Sequence, residues 1–455
     1  MKNSTFSDVS RPADYLMQRQ RSGEKRVSHY KDLNRAVSGV TLGNMVEWFD
    51  FAIYSSMATI MAQVFFPQTS AYSQLIAIYA AFAAGFIIRP LGGFVFGPIG
   101  DRFGRRTALI SSISLMSGAT LIIALIPSYQ SIGIAAPCLL VLMRMLQGLS
   151  TGGEYGGSCI FIAEHCPDKR RSFFTSWLEF GNISGFLIGG LVVSLVSHLV
   201  GETQMASWGW RIPFALAGLM GVVAIFIRLN LDETPVFRQM QKESRAREAN
   251  TSQKSLWQNM LAEWPQMLRA AGLVATFNVS YYIILGYVPG YLTNVLGYSQ
   301  SFSSNLSLVA TLGLLLFIPL FGALGDRFGR KRMLVVGCLL MVVFALPAFH
   351  LLRHHHAGVM AAALAVLIFA MLFFEGTMPG TLTSLFRAPV RYSCFAISYN
   401  ISVSLLGGTA PLINTWLIEK TGNVMIPAWY LIGGALLGLM ALWGLRDRTG
   451  KPLPG

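Results

Sequence analysis

Seven ionisable residues lie inside long apolar stretches of the sequence, where a charge is costly. These residues are Glu47, Asp50, Arg89, Arg144, Glu154, Glu179 and Glu375. A charged side chain at the centre of a lipid bilayer costs about 2.5–3.5 kcal/mol or more. We therefore expect these groups to face one another or a water-filled cavity, as ionisable groups in ion and solute pathways do.

Glu47 and Asp50 have a spacing that suits proton coupling. They are three residues apart, so they share one face of a helix, and two neighbouring carboxylates in a low dielectric resist double ionisation. A carboxyl group that takes a proton from one side of a membrane can release it on the other. We predict this role for both residues, with Asp50 favoured. The alternative is a structural pair that is hydrogen-bonded to neighbouring helices.

Arg144 and Glu154 complete the proton-coupling candidates. They lie on one predicted helix, about 15 Å apart by helical rise, and glycines flank Glu154 on both sides. We expect Arg144 to be the charge partner of the protonatable acids; a static ion pair between helices is the alternative. Arg89 could serve the same purpose from the second apolar stretch, and the roles of Glu179 and Glu375 stay open.

The elements that position these residues are predicted to be membrane helices. Of the 455 residues, 53% are apolar and only 12% are charged, whereas soluble proteins contain about 25% charged residues. A transmembrane helix needs about 20 mainly apolar residues. The fold class predicted is an all-α polytopic membrane protein with twelve transmembrane helices. The twelve apolar runs are 36–65, 72–97, 108–127, 137–164, 172–200, 210–230, 266–296, 301–324, 332–351, 357–385, 392–418 and 427–446.

Positive charge is concentrated in alternate loops of this arrangement. Arginine and lysine cluster after the second, fourth, sixth, eighth and tenth runs and in both terminal segments. In the opposite loops we find only Arg353 and Lys420. Because basic loops stay in the cytoplasm, both termini should be cytoplasmic, in a protein of the inner (cell) membrane. The first apolar run is too long for the core of a cleavable signal peptide.

One long polar interruption divides the chain. Residues 231–265 are rich in Arg, Lys, Glu and Gln and are predicted to be a cytoplasmic linker. We expect an N-terminal tail at 1–35, six-helix bundles at 36–230 and 266–446, and a C-terminal tail at 447–455, with both tails in the cytoplasm.

A ten-residue pattern occurs at the same place in both halves. Residues 97–106 are GPIGDRFGRR, and residues 322–331 are GALGDRFGRK. Glycines permit tight turns and close helix approach, and aspartates favour a neighbouring helix N-terminus. Two parallel six-helix repeats around a cavity are typical of rocker-type transporters. The alternative is that the loops only set the topology. The predicted gate residues are Asp101, Arg102, Arg105, Arg106, Asp326, Arg327 and Arg330.

This repeated loop resembles the signature of the major facilitator superfamily. A narrower resemblance, to its metabolite:proton symporter branch, is carried by GNMVEWFDF at 43–51, GGEYGG at 152–157 and GWRIPF at 209–214. RMLQG at 144–148 resembles the R-x-x-Q-G motif of the superfamily, which in relatives is tied to proton or substrate handling.

Within that branch the chain is most similar to bacterial proline/betaine transporters. The similarity runs from about residue 36 to 446 and implies two pseudo-symmetric six-helix bundles. The stretches that carry it are NVSYY at 278–282, RYS at 391–393, YNISV at 399–403 and IPAWYL at 426–431.

Two features depart from that group. Osmosensory members often carry a long C-terminal coiled coil, whereas this sequence ends at Gly455, so osmotic activation through such a tail is not expected. Glu375 stands where a small or uncharged polar residue is expected, and it could change the proton stoichiometry or the choice of solute.

The resemblance implies proton symport of zwitterionic osmolytes such as proline or glycine betaine. Aromatic faces hold an ammonium nitrogen well. The carboxylate of the solute would bind Arg89, Arg144 or Asn278. For each aromatic residue the alternative is core packing or contact with lipid. The aromatic candidates are Trp48, Tyr54, Trp177, Tyr281, Tyr282 and Tyr399.

Other functions stay open. The solute could be a di- or tricarboxylate such as 2-oxoglutarate or citrate, or the protein could be an exporter or a membrane sensor. We expect no enzyme and no cofactor, because no nucleophile–base or metal constellation is present. The five scattered cysteines have no metal spacing, and the net charge of +14 does not form a basic stripe for nucleic acid. The expected partners are the solute, protons and the lipid bilayer, with a monomeric protein.

Overall fold

The structure is a computed structural model that describes residues 12–67, 71–247 and 255–455. Within these ranges the regular secondary structure is helical, and no strand occurs. A chain in lipid must satisfy its backbone polar groups internally, which a helix does within one segment. Parts of the predicted N-terminal tail and linker, residues 1–11 and 248–254, lie outside the described residues.

Six long helices form the first half. Short helical segments at Tyr129–Ile132, Asp168–Arg170, Glu202–Gln204 and Met205–Gly209 join some of them. The first long helix begins well before the apolar run that starts at residue 36. The long helices are α1 (Pro12–Ser56, continued by Ala58–Phe65), α2 (Ala71–Arg102), α3 (Arg105–Leu125), α4 (Ala135–His165), α5 (Arg171–Val200) and α6 (Arg211–Leu229).

Six more helices form the second half. The linker contributes helices at Pro235–Arg247 and Leu256–Ala262, and a short turn at Ala388–Val390 precedes α11. π-Helical turns, which are frequent at functional sites, occur beside two of the six helices. Two such turns, Tyr282–Tyr287 and Tyr291–Val295, follow α7, and one, Val403–Gly407, interrupts α11. The helices are α7 (Trp264–Tyr281), α8 (Gln300–Phe328), α9 (Arg330–Leu351), α10 (Ala357–Thr383), α11 (Arg391–Ser402, continued by Ala410–Thr421) and α12 (Ile426–Leu442).

Each of the twelve apolar runs in the sequence overlaps one of these helices. In the described ranges, nine helical spans are long and apolar enough to cross a membrane. The other three are α1 and α4, which carry buried charges, and α12, which has only 17 residues. Charges needed inside the protein therefore weaken the local hydropathy signal of the helices that hold them.

The two halves are built and joined by equivalent contacts. In the first half α2 packs on α4 and α3 on α6; in the second, α8 packs on α10 and α9 on α12. Between the halves α2 packs on α11, and its counterpart α8 packs on α5. The α2–α3, α4–α5, α8–α9 and α10–α11 loops lie at one end of the bundle, which we call the basic end.

Candidate functional site

Asp50 and Arg144 form a buried ion pair inside the first half. Arg144 Nη1 on α4 lies 3.0 Å from Asp50 Oδ2 on α1, and neither side chain is more than 2% exposed. Gln147 Nε2 donates to Asp50 Oδ2 at 3.1 Å, and Thr120 Oγ1 on α3 donates to Oδ1 at 3.2 Å. Such extra hydrogen bonds are what a buried pair needs to offset its desolvation. A proton on Asp50 would remove the attraction that holds Arg144.

Tyr54, a predicted solute contact, lies beneath Arg144. The guanidinium carbon is 3.5 Å from the centroid of the Tyr54 ring, a cation–π contact. The Tyr54 hydroxyl donates to the Ile78 carbonyl at 2.8 Å, and the residue is 1% exposed. Tyr54 therefore supports the Asp50–Arg144 pair in this structure rather than facing an open cavity.

Glu47 and Asp50 have different partners. Arg89 Nη2 on α2 lies 3.4 Å from Glu47 Oε1, and the Arg89 guanidinium carbon lies 4.9 Å from the Phe86 ring centroid. No donor among the described residues reaches Glu47 Oε2. Each carboxylate of the i, i+3 pair thus has its own arginine from a neighbouring helix.

Glu154 is paired away from Arg144. Arg228 Nη2 on α6 donates to Glu154 Oε1, and Ser112 Oγ on α3 donates to Oε2 at 2.6 Å. A Cβ atom at Gly43 would lie 2.1 Å from Arg228 Nη2, so only glycine leaves room for this guanidinium. Sequence analysis missed Arg228, which is near the end of its apolar run, where arginines commonly reach the membrane surface. The geometry favours the static ion pair for Glu154.

Two further acids lie where the halves meet. Glu179 on α5 accepts hydrogen bonds from the Tyr155 hydroxyl at 2.5 Å and from Asn182 Nδ2 at 2.8 Å. Glu375 on α10 is fully buried, and no donor in the described part of the chain reaches either of its oxygens. Glu179 belongs to the first half and Glu375 to the second, and the helices that carry them, α5 and α10, pack against each other.

Aromatic side chains connect the two halves near the centre. Trp48 on α1 faces Tyr281 on α7 with ring centroids 5.3 Å apart, and Tyr155 on α4 stacks on Tyr399 of α11 at 4.2 Å. Trp48, Tyr281 and Tyr282 are only half-buried, so part of each side chain is exposed. We define the central aromatic site as Trp48, Arg89, Tyr281, Tyr282 and Tyr399.

Asn278 and Trp177, the remaining predicted solute contacts, bond or pack within their own helices. Asn278 Nδ2 donates to the Val274 carbonyl at 3.0 Å. Trp177 lies edge-on to Phe180 with centroids 5.0 Å apart. For Trp177 these contacts favour the packing interpretation, whereas Asn278 lies one turn before Tyr281 and Tyr282 on α7.

At the basic end, the aspartate of each repeated loop binds a helix of the opposite half. Asp101 accepts from the backbone amide and the hydroxyl of Ser393, on the first turn of α11, at 2.9 and 2.7 Å. Asp326 accepts from the amides of Ser172 and Phe173, on the first turn of α5, both at 2.9 Å. A carboxylate at a helix N-terminus is stabilised by the free amides and the helix dipole. The two copies of the repeated loop therefore hold the halves together by the same interaction, an aspartate bound at the N-terminus of a helix in the opposite half.

The glycines of the repeated loops have equivalent backbone roles. Gly104 and Gly329 have φ of +107° and +101°, a region that other residues rarely adopt. A Cβ atom at Gly97 would lie 2.7 Å from Ser393 Cα, and one at Gly322 would lie 2.5 Å from Ser176 Oγ. These positions let the halves approach closely at the basic end.

Glu164, at the end of α4, joins the same closure and was missed by sequence analysis. Arg391 Nη1 on α11 donates to Glu164 Oε1 at 2.6 Å, and Arg105 Nε lies 3.5 Å from Oε2. Thr234 Oγ1 of the linker donates to Oε2 at 2.5 Å. Arg105 Nη2 also donates to the Ala388 carbonyl at 2.7 Å. The available signal was an acid at the end of an apolar run that faces a strongly basic loop.

The other predicted gate residues differ in burial. Arg330 is buried and donates from Nη1 to Ser384 Oγ at 2.9 Å, within the second half. The Arg106 amide donates to Glu233 Oε2 at 3.1 Å, and burial raises the pKa of the Glu233 carboxyl above its usual value. Two of the predicted residues are exposed and make no contact between the halves that the structure shows: Arg102 and Arg327.

Solved structures of related fold were found for most of the chain. The proton:xylose symporter XylE bound to 6-bromo-6-deoxy-D-glucose superimposes with a TM-score of 0.76 at 20% identity, covering 93% of this chain and 98% of that one. XylE from Escherichia coli in a partially occluded inward-open conformation gives a TM-score of 0.66. This likeness confirms the all-α class with twelve transmembrane helices in two six-helix bundles.

Sequence relatives are considerably closer. The glycine betaine/proline/ectoine/pipecolic acid transporter OusA of Dickeya dadantii is 42% identical over 427 residues, which are 93% of this chain and 85% of the relative. The proline/betaine transporter of Escherichia coli is 40% identical over the same length. A putative proline/betaine transporter of Staphylococcus aureus is 37% identical over 430 residues, covering 93% and 91%. The family described as "Sugar (and other) transporter" matches residues 36–454. The chain therefore belongs to this family of the major facilitator superfamily and groups with its bacterial proline/betaine transporters.

Proposed function

We propose that the chain is a secondary active transporter that imports a zwitterionic osmolyte, such as proline or glycine betaine, together with protons. The observation that carries this proposal is the 37–42% identity to transporters named for these solutes. The central aromatic site supports it, because the half-buried rings of Trp48, Tyr281 and Tyr282 offer faces for an ammonium group. Arg89 Nε, which has no hydrogen-bond partner among the described residues, can donate to the carboxylate of the solute while Arg89 stays paired with Glu47.

The charges near the centre favour a zwitterion over the alternative di- or tricarboxylate. Arg89 is matched by Glu47, and Arg144 is matched by Asp50. A dianion would need cationic groups that are not already neutralised by buried acids. A solute with no net charge can bind beside these pairs without breaking them.

Proton coupling is assigned to Asp50 and its partner Arg144. A proton taken up by Asp50 would release Arg144 and change the contacts between α1 and α4. Because a zwitterion has no net charge, the proton makes transport electrogenic. One charge moved through 100 mV supplies about 2.3 kcal/mol, or roughly fifty-fold accumulation.

The basic end is proposed to face the cytoplasm of a bacterial cell, with the protein in the inner membrane as a monomer. Basic loops are retained in the cytoplasm. Among the described residues at the other end, the arginines and lysines are Arg211, Arg353 and Lys420; Arg211, at the start of α6, adds to the two expected from the sequence. Both termini would then be cytoplasmic, and the bundles at 36–230 and 266–446, joined by the linker 231–265, would rock about the central site. Asp101, Arg105, Asp326 and Glu164 would close the cytoplasmic gate.

A panel of labelled solutes tests the function directly. In cells without other uptake systems for these solutes, we expect protonophore-sensitive uptake of proline or glycine betaine. Uptake of 2-oxoglutarate and citrate should stay at the level of cells that lack the protein. Uptake of a dicarboxylate only, or uptake indifferent to the protonophore, would contradict the solute or the coupling, and solute extrusion from cells would indicate an exporter.

Trp48→Leu is expected to weaken solute binding without loss of folding. The substitution removes a cation–π face worth about 0.5–2 kcal/mol, so the KM for glycine betaine should rise roughly two- to thirtyfold. Trp429→Leu is the matched control, because Trp429 on α12 is 53% exposed. An equal change in KM for both variants would remove Trp48 from the solute site.

A further inference from the structure

Glu375 is a buried acid that the proposed mechanism does not use. It is 0% exposed, and no donor among the described residues reaches its carboxylate oxygens. An ionised carboxylate in this position would be an uncompensated buried charge, which is strongly unfavourable. The geometry therefore requires Glu375 to hold a proton while the basic end is closed.

Glu179 lies on α5, the helix of the other half that packs on α10. It is close enough to Glu375 for a negative charge on one residue to oppose a negative charge on the other. Glu179 differs because Tyr155 and Asn182 donate hydrogen bonds to its two oxygens, which stabilise a carboxylate. Of the two acids, Glu179 is therefore equipped to carry the charge and Glu375 to carry the proton.

The surroundings contain no cation that could replace this proton. The titratable groups facing Glu375 are Glu179 from α5 and Tyr281 from α7. From α4, α8, α9 and α11, which also pack on α10, no charged group within the described ranges interacts with Glu375. Tyr281 is half-buried and contacts Trp48, and α7, which carries it, packs on α10, so Glu375 lies on a helix next to the central aromatic site.

We propose that Glu375, opposed by Glu179, is a second proton-binding site of the transport cycle, separate from Asp50. Glu375 takes a proton from external water through the centre and keeps it while the basic end is closed. When the halves separate at the basic end, α10 moves away from α5 and water from the cytoplasm reaches the carboxyl group. The proton leaves to that water, and Glu375 becomes a hydrated carboxylate. This inference rests on the proposed function and adds one proton per solute to it.

Purified protein in proteoliposomes tests the stoichiometry. Glu375→Gln keeps the shape of the protonated acid but binds no proton. At 100 mV, inside negative, its steady-state accumulation of glycine betaine should be about fifty-fold lower than that of the wild type, the factor contributed by one charge. Solute counterflow, which needs no net proton movement, should be retained, and this shows that the variant is folded.

The combination with Asp50→Asn separates this inference from the proposed function. If Glu375 carries a proton, Asp50→Asn alone still accumulates solute in a potential, whereas the double variant only equilibrates it. If Glu375→Gln and the wild type reach the same accumulation, the inference is overturned while proton symport stands. If the wild type shows no potential-driven accumulation of any zwitterion, the proposed function fails first. Glu419→Gln, at an exposed position of α11, is the matched control and should behave as the wild type.

Discussion

Asp50→Asn is expected to remove one proton per solute from the transport cycle and so to lower accumulation about fifty-fold at 100 mV. The amide can keep the hydrogen bond from Gln147 or Thr120, but it cannot hold the charge of Arg144. Solute transport is therefore uncoupled from this proton, because the variant lacks the Asp50 carboxyl group, which alternates between the neutral and the ionised form beside Arg144. The measurement is steady-state uptake of labelled proline or betaine in energised vesicles, compared with counterflow.

The control for this variant must separate coupling from folding. Removal of one partner from a buried ion pair costs about 3–5 kcal/mol, so the amount of inserted protein has to be measured in every preparation. Asp50→Asn should retain counterflow, because the wild-type cycle itself passes through a neutral Asp50. Normal accumulation with a normal response to protonophore would rule out Asp50 as a coupling residue. Loss of both accumulation and counterflow in well-inserted protein would show that the pair is structural.

Asp101→Asn is expected to open the basic end. The substitution weakens charged hydrogen bonds to the first turn of α11, each worth about 1.5–3 kcal/mol, so the population of the open state should rise roughly ten- to a hundredfold. Uptake should fall by a similar order, because the outward-facing state becomes scarce. Asp326→Asn should act in the same direction, since Asp326 binds α5 as Asp101 binds α11.

Cys394 reports this opening. It is a free cysteine, fully buried on the first turn of α11, next to the Ser393 contact of Asp101. In a background with the other four cysteines replaced, maleimide labelling in inside-out vesicles should be slow in the parent and at least about tenfold faster in Asp101→Asn. Asp232→Asn, an exposed aspartate of the linker, should leave labelling unchanged. Equal labelling of parent and variant, with normal uptake, would remove Asp101 from the gate.

The family, the helices and the repeated loops could be predicted from local sequence. Hydropathy over some 20 residues is a local property, because each membrane helix satisfies its own backbone and lipid selects its side chains. The recurrence of the 97–106 pattern at 322–331 likewise needs no three-dimensional information. The choice of Asp50 as a candidate residue followed from the cost of a charge in an apolar run.

The partners of those charges were decided by the tertiary structure. Spacing placed Glu47 and Asp50 on one face, but the packing of α2 and α4 on α1 gave each of them its own arginine. Glu154 shares α4 with Arg144, yet it pairs with Arg228 of α6. This pairing depends on how α3 packs against both α4 and α6, which the sequence of α4 does not specify.

Contacts between the halves were equally invisible in the sequence. Glu164 and Arg391 are 227 residues apart, and the opposition of Glu179 and Glu375 arises only where α5 meets α10. The periodicity of one helix fixes which residues share a face, whereas the neighbour of that face depends on how twelve helices pack. The sequence alone therefore established which residues carry costly charges, and only the tertiary structure decided how each charge is compensated.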